Sequence, residues 1–323
     1  MKERNMKTGV SDNRVQFAVC NRAPCQRSCP TCNPFPATML RIAPESKIQN
    51  PKSKIPHRRR GFTLVEILMV VVIIGVLAGL LLAAAVPVRN AVRNWRMKSE
   101  IKQLELALEQ ARNQLFGGQY PPDTLNPADW QQCVRRAFPR YSGAVPTPPT
   151  TPAEALVFWL GGMKDPTSGN FIGFSSNPLN PFDASTNTNR IGPFFNFDRT
   201  RVGPGSGAGL YVYYPQNDLT TPTTAPPAAG TAPQPHVYFK AVAAAYTGTF
   251  NNAQPYVDVA ADPSGATWVN PQSFQLMCPG LDGLYSASTG GSPHYPKGDN
   301  YGQNTYDDIT NFTSRAKVES DMP

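Results

Sequence analysis

The feature that most constrains this chain is an uncharged apolar stretch well inside the sequence. The 22 residues Ile67–Val88 carry no charged side chain and are bounded by Glu66 and Arg89. As an α-helix they extend about 33 Å at roughly 1.5 Å per residue. That length is enough to cross a hydrocarbon core of about 30 Å. The sequence therefore predicts a membrane-spanning helix.

Positive charge is concentrated on the N-terminal side of this stretch. Residues 1–61 hold 13 Lys and Arg against 3 Asp and Glu, whereas residues 62–323 hold 17 against 19. A basic segment before an apolar helix favours a cytoplasmic N-terminus. Because residues 62–323 show no basic patch able to neutralise several phosphates, we expect no nucleic-acid partner.

The helical pattern continues beyond the apolar stretch. Across residues 89–116, apolar side chains recur at three- and four-residue steps, which is typical of an amphipathic helix. Gly117 and Gly118 then provide a stop. We expect one helix over Phe62–Leu115, about 80 Å long. Its first part, residues 62–88, would lie in lipid, and the second part would pack on a folded domain.

Residues 117–323 are predicted to form a domain of short elements. The chain has 34 Pro and 25 Gly, so about 18 per cent of its positions oppose regular structure. The predicted helices are Trp130–Phe138 and Ala153–Leu160, the strands are Leu210–Tyr214, His236–Ala244 and Phe274–Cys278, and the Pro-rich linkers are residues 145–152 and 217–235. We expect the second linker to be extended and mobile. The predicted fold class is α+β, with the long N-terminal helix packed on a small antiparallel sheet that carries long loop insertions.

The residues that precede the apolar stretch resemble a processing signal. His57-Arg58-Arg59-Arg60-Gly61 is followed by Phe62-Thr63-Leu64-Val65-Glu66. This run resembles the N-terminal cleavage and methylation signal of type IV pilins and type II secretion pseudopilins. The resemblance implies that a prepilin peptidase cuts between Gly61 and Phe62, removing residues 1–61 as a leader, and that the new Phe62 amine is methylated. It also implies a homo-oligomeric filament, built with other pseudopilins on an inner-membrane assembly platform.

Glu66 needs a physical reason to lie where it does. A carboxylate in a membrane helix costs about 2.5–3.5 kcal/mol on insertion scales. The positive amine of Phe62 on a neighbouring subunit would compensate this cost, and the pairing would set the axial register of the assembly. The alternatives are that Glu66 reaches the lipid headgroups or is protonated.

Two other N-terminal signals remain open. Ala83-Ala84-Ala85 could end a secretory signal peptide with cleavage before Val86, and Arg59-Arg60 superficially resembles a twin-arginine signal. The apolar region of an ordinary signal peptide spans about 7–15 residues, whereas this one is longer and begins with a carboxylate. A mature N-terminus at Phe62 would support the prepilin interpretation, and one at Val86 would refute it.

Two further stretches are similar to the major pseudopilin of type II secretion. Gly118-Gln119-Tyr120-Pro121 resembles the Gly-x-Tyr-Pro turn that follows the long helix in that group. Gly280-Leu281-Asp282-Gly283 and Asp307-Asp308-Ile309-Thr310-Asn311-Phe312 resemble its calcium-binding loop. The resemblance implies Ca²⁺ as a cofactor.

Ca²⁺ takes six to eight oxygen ligands, and the acidic positions of that loop correspond to Asp282, Asp307 and Asp308. Asp299 and Asn300 could add oxygen ligands. The two halves of the loop are 24 residues apart, Gly283 to Tyr306, which is a longer separation than the resemblance leads us to expect. The alternative is that these acids are ordinary turn residues in a solvated loop.

The cysteines form two groups. Cys133 and Cys278 lie in the predicted outer domain, where one disulfide would suit an oxidising compartment; two buried free thiols are the alternative. The leader holds four more, spaced C-x4-C-x3-C-x2-C, which could bind zinc or an iron–sulfur cluster unless translation starts later, for example at Met39. These four are Cys20, Cys25, Cys29 and Cys32.

No catalytic set emerges from the residues. Beyond the leader the chain has only His236 and His294, without a nucleophile pattern, a P-loop or a His-Glu-x-x-His motif. We therefore expect no enzyme. We expect a single-pass inner-membrane protein with a cytoplasmic N-terminus and its domain outside, either periplasmic or extracellular. It would be a pseudopilus subunit that drives protein export, a type IV pilus subunit for adhesion, motility or DNA uptake, or a non-polymerising, membrane-anchored ligand-binding protein.

Overall fold

The structure, a computed structural model, describes residues 61–123, 127–143, 148–185, 189–259, 267–288 and 290–323. Residues 62–323 form one compact unit. The predicted leader up to residue 60, with its four cysteines, lies outside the described residues. Of the predicted linker at residues 145–152, the structure describes residues 148–152.

The first element is the 51-residue helix α1, Leu64–Gln114. It begins after Thr63, whose hydroxyl accepts a 3.2 Å hydrogen bond from the N–H of Glu66 and so satisfies one free donor of the first turn. It ends where the Leu115 N–H donates to the Ala111 carbonyl. Its bounds lie within two residues of the predicted ones.

The two parts of α1 have opposite surroundings. Side chains up to Val88 are exposed, and within the described part of the chain α1 is the one helix long and apolar enough to cross a membrane. The second part buries one stripe of side chains at helical spacing against the domain. These residues are Met97, Lys98, Ile101, Leu104, Ala107, Leu108 and Ala111.

Two short helices follow, α2 over Pro127–Ala137 and α3 over Pro152–Gly161. Thr151 and Glu154 form a capping box at the start of α3, in which each side chain accepts a hydrogen bond from the other residue's backbone. Helix α3 is buried on nearly every side, which explains its high apolar content. Both helices form where the sequence predicts them.

The strands are short and belong to four small sheets. They are β1 Met163–Lys164, β2 Phe171–Ser175, β3 Arg190–Ile191, β4 Val202–Pro204, β5 Tyr211–Tyr213, β6 Val237–Lys240, β7 Val257–Asp258, β8 Phe274–Cys278, β9 His294–Tyr295 and β10 Ile309–Thr310. The sheets have the orders β1-β2-β3, β10-β8-β6, β4-β5 and β7-β9, and only β7-β9 among these pairs is parallel. The α+β class predicted from the sequence is confirmed.

The sheet β10-β8-β6 lies against α1 and separates two apolar cores. Alternate side chains of a strand point to opposite faces. Accordingly Tyr238 and Leu276 join the core beneath α1, whereas Val237, Phe239 and Met277 join a second core on the other face. All five are buried, so this sheet has no solvated face.

Two predicted segments differ in detail. The strand predicted to reach Ala244 ends at Lys240, because Ala243 and Ala244 adopt positive φ angles in a tight turn. Residues 217–235 form a loop that folds back on the domain instead of an extended linker. The buried Gln234 anchors it to the domain: its N–H donates to the Gly283 carbonyl at 2.7 Å, and its side-chain oxygen accepts from Asn251 Nδ2 at 2.9 Å.

Candidate assembly site

The predicted cleavage bond lies in extended chain just ahead of α1. Gly61 and Phe62 are exposed and precede the first helical residue, so the bond is accessible to a peptidase. Glu66 lies in the first turn of α1 and is also exposed. Within the described part of the chain no side chain binds its carboxylate, which leaves it available for a partner on another subunit.

The apolar part of α1 is exposed on all sides. Leu80, Leu81 and Leu82 are consecutive, so they point in three directions about 100° apart, and they are 67, 72 and 74 per cent exposed. A helix that is apolar all round requires lipid or other helices around it. The first part of α1 therefore requires lipid or the helices of other subunits to cover its apolar surface.

Residues 56–82 match the family model described as the prokaryotic N-terminal methylation motif. This is a type IV pilin-like N-terminus. The match spans the cleavage bond, Glu66 and most of the apolar part of α1, and it implies processing by prepilin peptidase and assembly into pilus-like filaments. No curated protein and no solved structure matches this pilin-like chain.

A buried ionic cluster joins α1 of the pilin-like protein to the domain. Glu100 on α1 accepts hydrogen bonds from the Arg201 guanidinium at 2.8 Å and from the Tyr213 hydroxyl at 2.7 Å. The Arg201 guanidinium lies 4.6 Å from the centre of the Tyr213 ring. His236 Nε2 is 3.7 Å from Glu100, beyond hydrogen-bond distance. Side chains from three separate segments of the domain thus surround one carboxylate of α1.

The protonation states of this cluster follow from its surroundings. Burial opposes ionisation of Glu100, yet the hydrogen bonds from Arg201 and Tyr213 and the charge of Arg201 hold the pKa of Glu100 below its ordinary value. Complete burial lowers the pKa of His236 despite the opposing charge of Glu100. Glu100 and Arg201 are therefore charged at neutral pH, and His236 is a neutral core residue.

A buried lysine joins α1 to the C-terminal segment. Lys98 Nζ donates to the carbonyls of Thr310 and Thr313 and to the Thr313 hydroxyl, each at 2.7 Å. Lys102 adds a 3.0 Å hydrogen bond to the Asn311 carbonyl. Burial, and then the charge of Lys102, lower the pKa of Lys98 to about 8. Two lysines of one helix face thus bind the strand β10 and the turn after it.

The Gly-x-Tyr-Pro turn is anchored at the end of α1. Arg112 Nε donates to the Gly118 carbonyl at 2.8 Å, and its guanidinium lies over the Tyr120 ring. The Pro121 carbonyl accepts from the Tyr238 hydroxyl at 2.7 Å. The turn therefore fixes the direction in which the chain leaves the helix.

The structure brings Asp282, Asp307 and Asp308 together despite the residues that separate them. Asp307 Oδ2 accepts from the N–H groups of Leu281 and Asp282 at 2.8 and 3.2 Å. Asp308 Oδ2 accepts from the Tyr256 hydroxyl at 3.2 Å, and its Oδ1 is buried and has no hydrogen-bond partner among the described residues. Among the described residues, no group of three or more Asp, Glu, His or Cys side chains has the arrangement of a metal site.

The three carboxylates nevertheless repel one another. Burial, followed by the charge of Asp307, raises the pKa of Asp282 to about 6. Burial also raises the pKa of Asp307, and burial with the charges of both neighbours raises the pKa of Asp308 well above its ordinary value. Each of these three carboxyl groups therefore keeps its proton to a higher pH than an ordinary aspartate does.

Asp299 and Asn300 do not join this loop. Asp299 pairs with Lys297 at 2.7 Å, and Asn300 donates to the Ser292 carbonyl at 3.3 Å. Both lie in the turn after β9, which forms its own local hydrogen bonds. The additional ligands considered from the sequence are therefore placed elsewhere.

Cys133 and Cys278 are separate buried thiols, so the predicted disulfide is not formed. Cys278 Sγ lies 3.8 Å from Met97 Sδ on the inner face of α1. Cys133 is on α2, and burial raises its pKa to about 12. Each thiol packs as a small apolar side chain in its own surroundings.

Proposed function

We propose that this pilin-like protein is a structural subunit of a type II secretion pseudopilus. It would be cut after Gly61, assemble through α1 and help to push exported proteins through an outer-membrane channel, using energy from a separate cytoplasmic ATPase. The observation that carries the proposal is the division of α1. Its first part is apolar and uncovered, and its second part is fixed to the domain by Lys98 and Glu100.

This division supports a mechanical role. Helices that pack side by side through their apolar parts would form a filament core, and each domain would be carried outside that core. A subunit of this kind needs a rigid connection between core and domain. The buried contacts of Lys98 and Glu100 supply one, since breaking them leaves buried polar groups unpaired.

Two stretches favour the pseudopilus over a type IV pilus. The turn at Tyr120 and Pro121 and the acidic loop at Asp282 resemble the major pseudopilin of type II secretion. The apolar anchor is common to both filaments and does not separate them. The proposed orientation is a cytoplasmic N-terminus in the inner membrane, with the domain outside.

We also propose that Ca²⁺ binds the acidic loop. The electrostatics support this more than the present arrangement of oxygens, because burial and the neighbouring charges raise the pKa values of Asp282 and Asp308, and Asp308 Oδ1 has no hydrogen-bond partner among the described residues. These three side chains would hold the ion. When bound, Ca²⁺ would supply positive charge that locks the end of β8 to the start of β10.

The experiment that tests the proposed function is deletion of the gene with complementation. We expect loss of protein export, restored by the wild-type gene and not by a Gly61→Asp variant that the peptidase cannot cut. Filaments purified from the complemented strain should begin at Phe62. Intact export with loss of surface filaments would indicate a type IV pilus instead. Intact export with no filament in the wild type would indicate a simple membrane anchor.

A further inference from the structure

A half-open cleft of about 490 Å³ lies on the domain, away from the assembly helix and the acidic loop. Strands β1 and β2 form one side, and the short 3-10 helix Arg199–Arg201 with the start of β4 forms the other. The residues that line it are Lys164, Gly169, Phe171, Arg199, Thr200 and Val202. Two cations therefore face one cavity with apolar walls.

Among the residues that the structure describes, no carboxylate forms an ion pair with either cation. Lys164 Nζ lies 4.0 Å from the centre of the Tyr211 ring, which holds the ammonium group at the cleft. Neither Lys164 nor Arg199 belongs to any ion pair of the residues that the structure describes. Burial and the charge of Arg199 lower the pKa of Lys164. The two positive charges therefore repel each other across the cavity, and this repulsion is unfavourable.

The acids next to them in sequence are engaged elsewhere. Asp165 accepts from the N–H groups of Thr167 and Ser168 at 2.9 and 3.1 Å. Asp198 accepts from Thr200 and lies 3.5 Å from the guanidinium of Arg201. Both carboxylates stabilise local turns and do not neutralise the two positive charges of the cleft.

The backbone leaves room for the guanidinium at the cleft wall. Gly169 has a φ angle of +71°, and a Cβ built there would lie 3.3 Å from Arg199 Nη2. A side chain at this position would crowd Arg199 and would also be strained by the backbone angle. The absence of a side chain therefore lets the loop pass close to Arg199.

We propose that Lys164 and Arg199 form a binding site for an oxyanion, a carboxylate, sulfate or phosphate group. Arg199 presents a planar fork of donors that suits such a group, and Lys164 adds a point charge on the same cavity. Phe171 and Val202 place apolar surface beside the charges, which suits an anion carried on an organic molecule such as an acidic sugar. An anion between the two cations would remove their repulsion.

The proposal is tested by isothermal titration calorimetry in a non-ionic detergent, on the whole processed protein that begins at Phe62. The probes are inorganic phosphate and trigalacturonate, each titrated at low salt. We expect one binding site per chain, and binding at least about tenfold weaker in Lys164→Gln/Arg199→Gln, since hydrogen bonds to charged groups are lost. Binding of phosphate alone would identify a free ion as the ligand, and binding of trigalacturonate would identify an acidic sugar; either supports the site.

Two further variants make the test decisive. Arg140→Gln/Lys297→Gln removes the same charge from exposed positions outside the cleft and should bind like the wild type. Arg199→Glu places a carboxylate beside Lys164, so it should keep the melting temperature of the wild type and abolish binding. Absence of binding of either probe to the wild type would overturn the proposal. Equal binding by the wild type and Arg199→Glu would also overturn it.

Discussion

The Lys98 ammonium group and the Thr313 hydroxyl are hydrogen bonded at 2.7 Å, 215 residues apart in the chain. The same ammonium group binds two carbonyls of the C-terminal segment, and no acid in the described part of the chain pairs with it directly. The direct partners of this buried charge are therefore oxygen dipoles, and the charges of Asp321 and Glu105 act on it only from a distance. The contact therefore depends on the C-terminal segment keeping its position on α1.

We expect Lys98→Met to loosen that segment. The variant leaves buried oxygens without their donor and should lower the free energy of unfolding by about 2–4 kcal/mol, given the magnitude of charge-assisted hydrogen bonds. Urea unfolding in detergent measures this, and hydrogen exchange should show lost protection at residues 309–313. Lys297→Met, at an exposed position, is the control and should change stability little. Equal stability of the two variants would contradict this account of Lys98.

The Glu100 cluster should make stability depend on acid. Because the folded pKa of Glu100 is depressed, its stabilisation is present above pH 4.5 and is lost as the pH falls through the folded pKa. Glu100→Gln should be less stable than the wild type at pH 7, and the difference should shrink below pH 4.5. Melting curves from pH 3 to 7 measure it. A difference that stays constant with pH would argue against an ionised Glu100.

Glu66→Leu should separate processing from assembly. The substitution removes the carboxylate that would pair with the Phe62 amine of a neighbour but leaves the cleavage bond unchanged. We expect normal cleavage by N-terminal sequencing and strongly reduced filament yield. Glu66→Asp keeps the charge and should retain part of the yield, whereas Val65→Leu serves as a control for a changed apolar side chain. Wild-type filament yield from Glu66→Leu would rule out the pairing.

Calcium should stabilise the domain at neutral pH and much less in acid. The pKa of Asp282 is raised to about 6 in the folded state. Ionisation of this carboxyl group therefore destabilises the fold as the pH rises from the pKa of the unfolded chain through 6. We expect added Ca²⁺ to raise the melting temperature at pH 7.5 relative to a chelator, with a smaller effect at pH 5. Asp308→Asn should be more stable than the wild type in chelator and insensitive to Ca²⁺. A wild-type melting temperature that ignores both additions would exclude the calcium site.

The processed chain should contain two free thiols that do not react with a thiol reagent while the protein is folded. Burial raises the pKa of Cys133 to about 12 and raises that of Cys278 well above its ordinary value, so neither is a reactive thiolate. We expect no reaction with a thiol reagent in the native state and two equivalents after denaturation without reductant. Zero equivalents after denaturation would show that the disulfide forms.

The sequence predicts the helices well because their signals are local. The apolar run, the three- and four-residue spacing and the glycines at residues 117 and 118 determine α1 without help from the rest of the chain. Strands β6 and β8 are similarly rich in aromatic and apolar residues, and every residue of the two strands except Lys240 is buried. Strands of two or three residues, such as β9 and β10, carry no such pattern and form only because distant segments pair with them.

The sequence also predicts the assembly site, because the signal of that site is local. It does not predict the contacts of Lys98 and Glu100 that join α1 to the domain. Gly61, Phe62 and Glu66 stand in one continuous motif. Lys98 and Glu100 look like solvated charges on an amphipathic helix, although Lys98 lies one residue from Met97 on the buried stripe. Only the positions of Arg201 and Thr313, more than 100 residues away, reveal that Lys98 is buried and that Glu100 is largely covered.

Lys98 and Glu100 are two residues apart, so their side chains leave α1 about 200° apart around its axis. One binds the C-terminal segment and the other binds Arg201, on a different part of the domain. The domain thus holds the helix from two nearly opposite sides and cannot roll around it. Any rotation of the helix about its long axis is therefore transmitted to the domain as torque, without slippage at the joint.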